Sequence, residues 1–462
     1  MPETDIQGNI PNALPLARRG GCRLTRAACL KAGIAGMCWM LAGPSIRAQD
    51  ALKYSLAGDA VAEAQREQFA TQLYTIREGD FKLLVVPSLE LDYNDNITLQ
   101  RDDALSDFIL KPLVTLTGGY PVTAENLLTF NTGVGYDEYL EHGQYSAVRV
   151  NSDSALSFDM RIKDFLINVH DQFSYFQDPS AEAAIAQTAV YGGLLNSAGL
   201  SGTWDLEALR LTLGYDHQNF ISSSGQFDYL NRASELFVAR AGLTVRPDIT
   251  VGVEGTASYT GYDQQVLNDN QGYSAGIYAN WHPDPMLYIT PRAGYAIYQL
   301  DQTSESAEVF DLTPSGVPVA VPTGEVVQTS SVNTWYASLD ITNKLTESVG
   351  YSVHAGHEIR LGLQSDLIED SYFRPEMNWM IIKDLWINSS LFYEHGHQGI
   401  GNVTGNFTET YDWYGGALML SYPIMKRLLM SLSYRLTLRS SDIPSREYSQ
   451  NIVGIKFSYQ PK

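Results

Sequence analysis

From residue 81 to residue 459, apolar and polar side chains alternate in segments of about ten residues. In 428–438, Leu428, Met430, Leu432, Tyr434, Leu436 and Leu438 share one phase, and Ser431, Ser433 and Arg435 share the other. A period of two puts successive side chains on opposite faces of a strand, so each segment predicts a strand with one greasy and one wet face. In 249–259, Ile249, Val251, Val253, Ala257 and Tyr259 oppose Thr250, Glu254, Thr256 and Ser258. In 349–361, Val349, Tyr351, Val353, Ile359 and Leu361 oppose Ser352, His354, Glu358 and Arg360.

The connections alternate as well. Eight are brief: 120–126, 161–164, 204–208, 246–250, 281–286, 343–348, 382–385 and 423–427. Nine are longer and rich in Asp, Asn, Gly, Ser and Gln: 93–106, 139–146, 177–190, 218–232, 262–272, 301–332, 362–370, 396–409 and 440–447. Together they join 18 strands with both chain ends on the short-turn side; weak alternation around 190–204 and 371–381 leaves 16 as the competing count. Strand length, period and loop asymmetry predict an all-β chain, a transmembrane antiparallel up-and-down β-barrel with short periplasmic turns and long extracellular loops. After Ala42 no apolar run approaches the roughly 20 residues of a spanning helix. The 28 Tyr, 38 Gly and 11% aromatic content suit interfacial girdles and tight turns.

Charged residues follow the same phase. Arg210, Glu254, Arg292, Asp340, His354, Glu358, Arg360, Arg435 and Lys456 all fall on the polar phase and are predicted to line the lumen. A charge on the lipid face near the midplane would cost about 2–4 kcal/mol. A lumen lined by both signs is expected to hold water, and a barrel this wide encloses an aqueous channel unless loops fold inward. The longest loop, 301–332, stiffened by Pro314, Pro318 and Pro322, is the candidate constriction; an exposed external loop is its other reading.

The N-terminus differs. Arg18, Arg19, Arg23, Arg26 and Lys31 precede an apolar stretch, 32–42, then Gly43-Pro44 and Ala48, which predicts a signal peptide over 1–48 cleaved after Ala48. Met37 before Cys38 argues against a lipoprotein, and Arg18-Arg19 lies too far upstream of the apolar stretch for twin-arginine export. Residues 49–80 predict a periplasmic lead-in, with helix formers over 59–69, and 81–462 the barrel.

Cys22, Cys29 and Cys38 all lie in the presequence, so the exported chain has no disulfide, thiol nucleophile or thiolate metal site. A net charge of −21 makes nucleic acid an unsuitable partner. Asp95, Asp102, Asp103 and Asp107, and Asp301, Glu305, Glu308 and Asp311, are read as solvated loop tips that divalent cations can bridge to anionic lipid headgroups, with a specific cation site as the alternative.

The histidines are the candidates for chemistry. His354 and His357 fall on opposite strand faces, whereas His395 and His397 share one and, with Glu394 in a loop conformation, could hold Zn²⁺ or Ni²⁺; rim residues are the plainer reading. His354, Glu358 and Arg360 could serve acid and base chemistry with a neighbouring Ser, but there is no Gly-x-Ser-x-Gly element, phosphate loop, dinucleotide fingerprint or EF-hand. No enzymatic activity, metal or cofactor is expected. Tyr288 and Tyr298 are candidates for a sugar-stacking path, Tyr298 reading more plainly as girdle.

Two stretches carry a family resemblance: Leu89-Glu90-Leu91-Asp92-Tyr93-Asn94-Asp95-Asn96-Ile97, and the final Tyr448-Ser449-Gln450-Asn451-Ile452-Val453-Gly454-Ile455-Lys456-Phe457-Ser458-Tyr459. The chain resembles the beta-barrel porin 2 family of outer-membrane proteins, whose first strand runs into a Tyr-x-Asp-Asn element. The resemblance implies the Gram-negative outer membrane, with lipids and the barrel-insertion machinery as partners. Val453, Ile455, Phe457 and Tyr459 supply the alternating apolar end that this machinery reads, although Gln460-Pro461-Lys462 follow the last aromatic. Asp95-Asn96 reads as a strand-end turn, with a calcium or glycan role as the alternative.

The expectation is a porin-like passive channel for small hydrophilic solutes or glycans. Because some members of that family accompany exopolysaccharide systems, a component of polysaccharide export or surface assembly is the alternative. A barrel-embedded hydrolase and a soluble secreted β-sandwich fit less well.

Overall fold

The structure is a computed structural model that describes Phe69 and residues 74–301, 308–312, 318–322, 330–403 and 407–459. The expected signal peptide and almost all of the lead-in lie outside the described residues. The strands are β1 (Ile76–Glu78), β2 (Phe81–Asn94), β3 (Asp107–Pro121), β4 (Leu127–Tyr139), β5 (Ala147–Val150), β6 (Ala155–Ile162), β7 (Phe165–Phe176), β8 (Gly193–Leu206), β9 (Leu209–Ser222), β10 (Arg232–Arg246) and β11 (Ile249–Tyr262). They continue with β12 (Asp269–Asp284), β13 (Leu287–Asp301), β14 (Glu308–Leu312), β15 (Pro318–Pro322), β16 (Ser330–Asn343), β17 (Val349–Leu361), β18 (Ser365–Ile382), β19 (Leu385–Val403), β20 (Glu409–Met425), β21 (Leu428–Ser441) and β22 (Tyr448–Tyr459).

All but β14 and β15 belong to one antiparallel sheet. β1 is a three-residue addition beside β2, and β5 and β6 are two halves of one stave, so the barrel has 18 staves. The sheet closes where β2 meets β22, from Ser88 opposite Ser458 to Asn94 opposite Ile452. The eight short turns fall where the sequence predicts them; Lys163, Glu207 and Asp384 take left-handed conformations in three two-residue turns. β8 and β18, the strands with weak alternation, are both continuous. Gly193, Gly199 and Gly202 carry little hydropathy signal in β8, which is why the pattern faded there.

Large aliphatic side chains stand exposed on the outward phase, among them Leu213 at 67%, Ile277 at 64% and Leu391 at 63%. Such a surface is stable only against hydrocarbon, and a ring with every strand paired is one of the two folds that can satisfy its backbone there. Aromatic residues flank this band. Phe165 stacks on Trp204 beside the short turns, and Tyr93, Phe108, Phe237 and Tyr259 cluster in pairs toward the long loops. On the inward phase, tyrosines lie across glycines of neighbouring strands, a device that lets a sheet bend. A Cβ on Gly252 or on Gly294 would come within 2.5 Å of the Tyr278 or Tyr336 ring, so no larger residue fits under either.

The long-loop end of the closing seam is clamped by the Tyr93-Asn94-Asp95-Asn96 element. The Asn451 backbone N–H and side-chain amide donate to the two carboxylate oxygens of Asp95 at 2.6 and 2.7 Å. The Asn96 amide donates to the Ser449 and Gln100 carbonyls at 2.9 and 2.7 Å, and Gln450 donates to the Asn96 carbonyl at 2.9 Å. Asp95 is thus a structural acceptor, not a solvated tip. Asp107 is likewise buried, taking the backbone N–H groups of Glu141 and His142, while Asp102 and Asp103 are exposed as expected.

One pair of faces departs from expectation. Ile359 and Leu361, predicted to face lipid, are buried against Leu300 and Leu367, with Tyr298 and Val332 packed alongside. β17 pairs with β16 only over 351–357, and above that its outward face meets the inward faces of β13 and β16. The top of β17 therefore passes inside the edge of β16. Tyr298 belongs to this inward packing, not to a girdle, and its hydroxyl donates to the Ile359 carbonyl at 3.4 Å.

Asn96→Ala, which strands the Ser449 carbonyl and the Gln100 groups, is expected to destabilise the barrel by about 1–3 kcal/mol. The check is the urea midpoint of the protein refolded in lipid, with Asp102→Ala unchanged as control.

Candidate functional site: a loop-filled lumen

The loop between β7 and β8, residues 177–192, folds into the barrel. Asp178 accepts from the Ser180 N–H at 2.9 Å and starts a single 3₁₀ turn, after which Ala183, Ala184, Ile185 and Ala186 are all buried. Small side chains let this backbone press against the opposite wall. Arg439 of β21 donates to the Ala183 carbonyl at 2.8 Å, and Arg446 donates to the Ala184 carbonyl at 2.7 Å. On the other flank, the Gln187 N–H donates to the Leu99 carbonyl at 3.0 Å. Leu99, Ile185, Tyr191, Phe227, Leu230, Leu267, Leu363, Ile368 and Trp413 form one apolar cluster. They come from five different loops and the adjoining strand ends, so the long-loop mouth is filled by a small hydrophobic core of its own.

Ion pairs tie this plug to the wall. Arg360 meets Asp370 at 2.6 Å, Glu182 at 3.0 Å and Glu394 at 3.4 Å, and Arg374 meets Glu394 at 3.1 Å. Beside them, Glu409 holds Arg439 at 2.7 Å and Arg446 at 3.0 Å. Four cations balance four carboxylates. Buried pairs of this kind contribute little net stability, but each partner becomes costly to remove once the other is in place. The result is one permitted position for the loop.

Beneath the plug the inward face is charged. Arg435 points inward yet is exposed, and the Asp340–His354 pair, at 2.7 Å, remains about two-fifths exposed. One wall carries Lys111–Asp92 at 2.7 Å, Arg149–Asp137 at 3.4 Å and Lys456–Glu90 at 3.4 Å. The facing wall carries Arg240 against Glu254 at 3.3 Å and over the Tyr278 ring, with Arg292 one strand along on the same phase. Tyr336 donates to Glu254 at 3.2 Å. Arg210 sits at the short-turn mouth, paired with Asp205 at 3.1 Å.

These positions regroup the residues singled out in the sequence. Arg210, Glu254, Arg292, Asp340, His354, Arg435 and Lys456 lie on inward phases along the lower lumen. Arg360, at the top of β17, is tied to the plug through Glu182, Glu358 lies two residues below it on the same phase, and His354 is paired with Asp340 six residues from Arg360. Glu394 is buried inside the barrel, whereas His395 and His397 face outward on Asp412 at 2.9 Å and Thr410 at 3.0 Å. Glu394 therefore cannot complete a metal site with them, and among the described residues no group of three or more His, Cys, Asp or Glu stands ready for a metal. Tyr288 lies at the short-turn end against His282, a strand length from Tyr298, so the two form no path.

Loop 301–332, the expected constriction, lies mostly outside the described residues; its described parts, β14 and β15, pair as a ribbon. Among the described residues, the loop that folds inward against the opposite wall is 177–192. A signal was present in the sequence: Ala181, Ala183, Ala184, Ile185 and Ala186 make an apolar run of small residues unlike a solvated loop. Also unanticipated is a buried wall network, in which His170 contacts Asp216 and the Asn168 side chain at 2.7 Å each, and Asn168 donates to Asp159 at 2.8 Å.

No family model matches the chain, and no curated protein matches it. Among solved structures, the outer membrane protein opdK from Pseudomonas aeruginosa is similar at 9% identity and a TM-score of 0.41, over 82% of this chain and 98% of that one. A BenF-like porin from Pseudomonas fluorescens Pf-5 is similar at 9% identity and a TM-score of 0.45, over 83% and 99% of the two chains. Pseudomonas aeruginosa OpdL is similar at 11% identity and a TM-score of 0.42, over 82% and 99%. The fold assignment stands on the ladder register and its closure.

Arg439→Ala leaves Glu409 short of a partner and frees the Ala183 carbonyl. With no cysteine in 39–462, an Ala184→Cys reporter is expected to react slowly with a maleimide in the parent and much faster with Arg439→Ala added. Acid should act on the same loop through Asp178. Burial alone would raise this carboxyl, but the Lys111 charge and the hydrogen bonds from Ser180 outweigh it and hold the group below its ordinary value. A depressed carboxyl stabilises above its unfolded value of about 4 and loses that contribution as pH falls through the folded value. Amide exchange over 177–192, corrected for intrinsic rates, is expected to stay constant from neutrality to about pH 5 and to rise below about pH 4.

Proposed function

We propose that the protein is a passive channel of the Gram-negative outer membrane that admits small hydrophilic solutes or glycans past an inward-folded loop. The reading rests chiefly on one observation: an inward face with exposed charges of both signs, Arg435, Asp340 and His354 among them, lies beneath a plug fixed by buried ion pairs. A structural barrel with no passage would bury its inward face against itself with little charge, because an unpaired charge in a dry core is costly. Opposed charges across a wet lumen instead set a transverse field that sorts solutes by size and charge. On this reading Arg210, Glu254, Arg292, Asp340, His354, Arg435 and Lys456 line the route, and Glu358 and Arg360 flank the narrowing. The chain reaches the membrane through a cleaved signal peptide and the barrel-insertion machinery.

Purified, refolded protein in a planar bilayer is expected to show stable conductance steps that added oligosaccharides block. Removing 182–187 should enlarge the steps, and Arg435→Glu should move the ion preference toward cations with the step size retained. A folded, heat-modifiable barrel that stays silent with and without 182–187 would overturn passive passage and favour a role in polysaccharide export or surface assembly.

A further inference from the structure

We propose that the seam between β16 and β17 is a lateral portal through which a single-chain amphiphile, an acyl tail with a small polar head, passes between the lumen and the surrounding lipid. The ladder between these strands stops at Ala337 opposite His357. Above it, residues 330–336 of β16 remain paired with β13, and residues 358–361 of β17 remain paired with β18, yet the two strands no longer pair with each other. Unpaired strand edges do not face hydrocarbon in a membrane, and they persist only where they are covered by protein or line a cavity. Here the cover is apolar: Leu300, Val332, Ile359, Leu361 and Leu367, with the Tyr298 ring beside them.

Two features make this cover a door instead of a wall. Parting it breaks no ladder hydrogen bonds, only the apolar contacts and the long bond from the Tyr298 hydroxyl to the Ile359 carbonyl, and an acyl tail entering the gap would replace the apolar contacts in kind. Leu361 and Leu367 also lie within two residues of Leu363 and Ile368, which belong to the plug core. A tail in the seam would lie among these apolar side chains, while hydrophilic solutes have the charged lumen below. Outside, Trp335 stacks on His357 at 4.0 Å beside the last rung, where the seam would hinge.

The test uses the exported chain, residues 49–462, in liposomes, with Val332→Cys and Leu361→Cys joined by a short, reducible bifunctional methanethiosulfonate and spin-labelled lauric acid as probe. Bridging is expected to abolish protein-dependent transfer of the probe, and reduction to restore it, with bilayer conductance unchanged. Transfer that persists after bridging, or no protein-dependent transfer before it, overturns the portal. Conductance lost before and after bridging alike would bear on the hydrophilic channel, not on the seam. Should the double variant fail to refold, amide exchange of the unsubstituted protein decides: the probe must speed exchange in 330–336 and 358–361 but not in 337–343, and no change there also overturns it.

Discussion

Every part of this molecule answers to the closing of a hydrogen-bonded ring in a solvent that cannot hydrogen-bond. Within the hydrocarbon layer an unpaired backbone group costs several kcal/mol, so an open sheet is not an option and the first strand must find the last. β2 meets β22 across the whole length of the chain, the contact with the greatest sequence separation in the fold and the one with the largest loop-closure entropy against it. The side chains of Asp95, Asn96, Gln450 and Asn451 add five hydrogen bonds just beyond the last rung of that seam. Placed where fraying would begin, they oppose it most directly. This gives a mechanical reason for the Asn-Asp-Asn run that needs neither calcium nor glycan.

Once the ring is closed, the packing logic of a soluble protein turns inside out. Leu213, Ile277 and Leu391 spend their apolar surface on lipid, and the interior is left to polar residues, which would fill with water from end to end if nothing else intervened. What intervenes is a second core at the long-loop end, built by Ile185, Leu230, Leu363 and Trp413 on the principle of an ordinary globular interior. The two solvents meet at the ionic belt of Arg360, Arg439 and Arg446. Guanidinium groups suit that boundary because each presents several donors in a fixed fork and can bind carboxylates and backbone carbonyls at once.

The architecture was legible because a period of two survives in any strand whose faces meet different media. Strand number followed from punctuation, since short polar turns and long polar loops alternate and give 18, although the weak pattern of β8 and β18 left 16 as the competing count. The same rule could not distinguish depth. Arg360 and Arg435 share the inward phase, yet one is locked in a plug and the other exposed in the lumen, and phase is all that alternation reports. Ile359 and Leu361 kept their outward phase too, but their strand had stepped behind its neighbour, a displacement of backbone that leaves side-chain alternation intact. Loop 177–192 escapes the rule for a different reason. Its polar flanks match those of the other long connections, and composition alone does not tell a small apolar run that packs inward from one that faces out.

The weak point of the wall follows from the same geometry. Bringing the tops of β17 and β18 inward delivers Arg360, already paired with Asp370, to Glu182 and gives the plug its fixed position. The move also withdraws β17 from β16 and leaves the ladder short by the four residues 358–361. The wall cannot have both a complete ladder and an inward hairpin at this place. The fold keeps the hairpin and covers the gap with leucine, isoleucine and valine, contacts that hold by area and not by direction. A ring that elsewhere depends on directional bonds thus has one sector held by a non-directional force, beside the loop that fills its lumen.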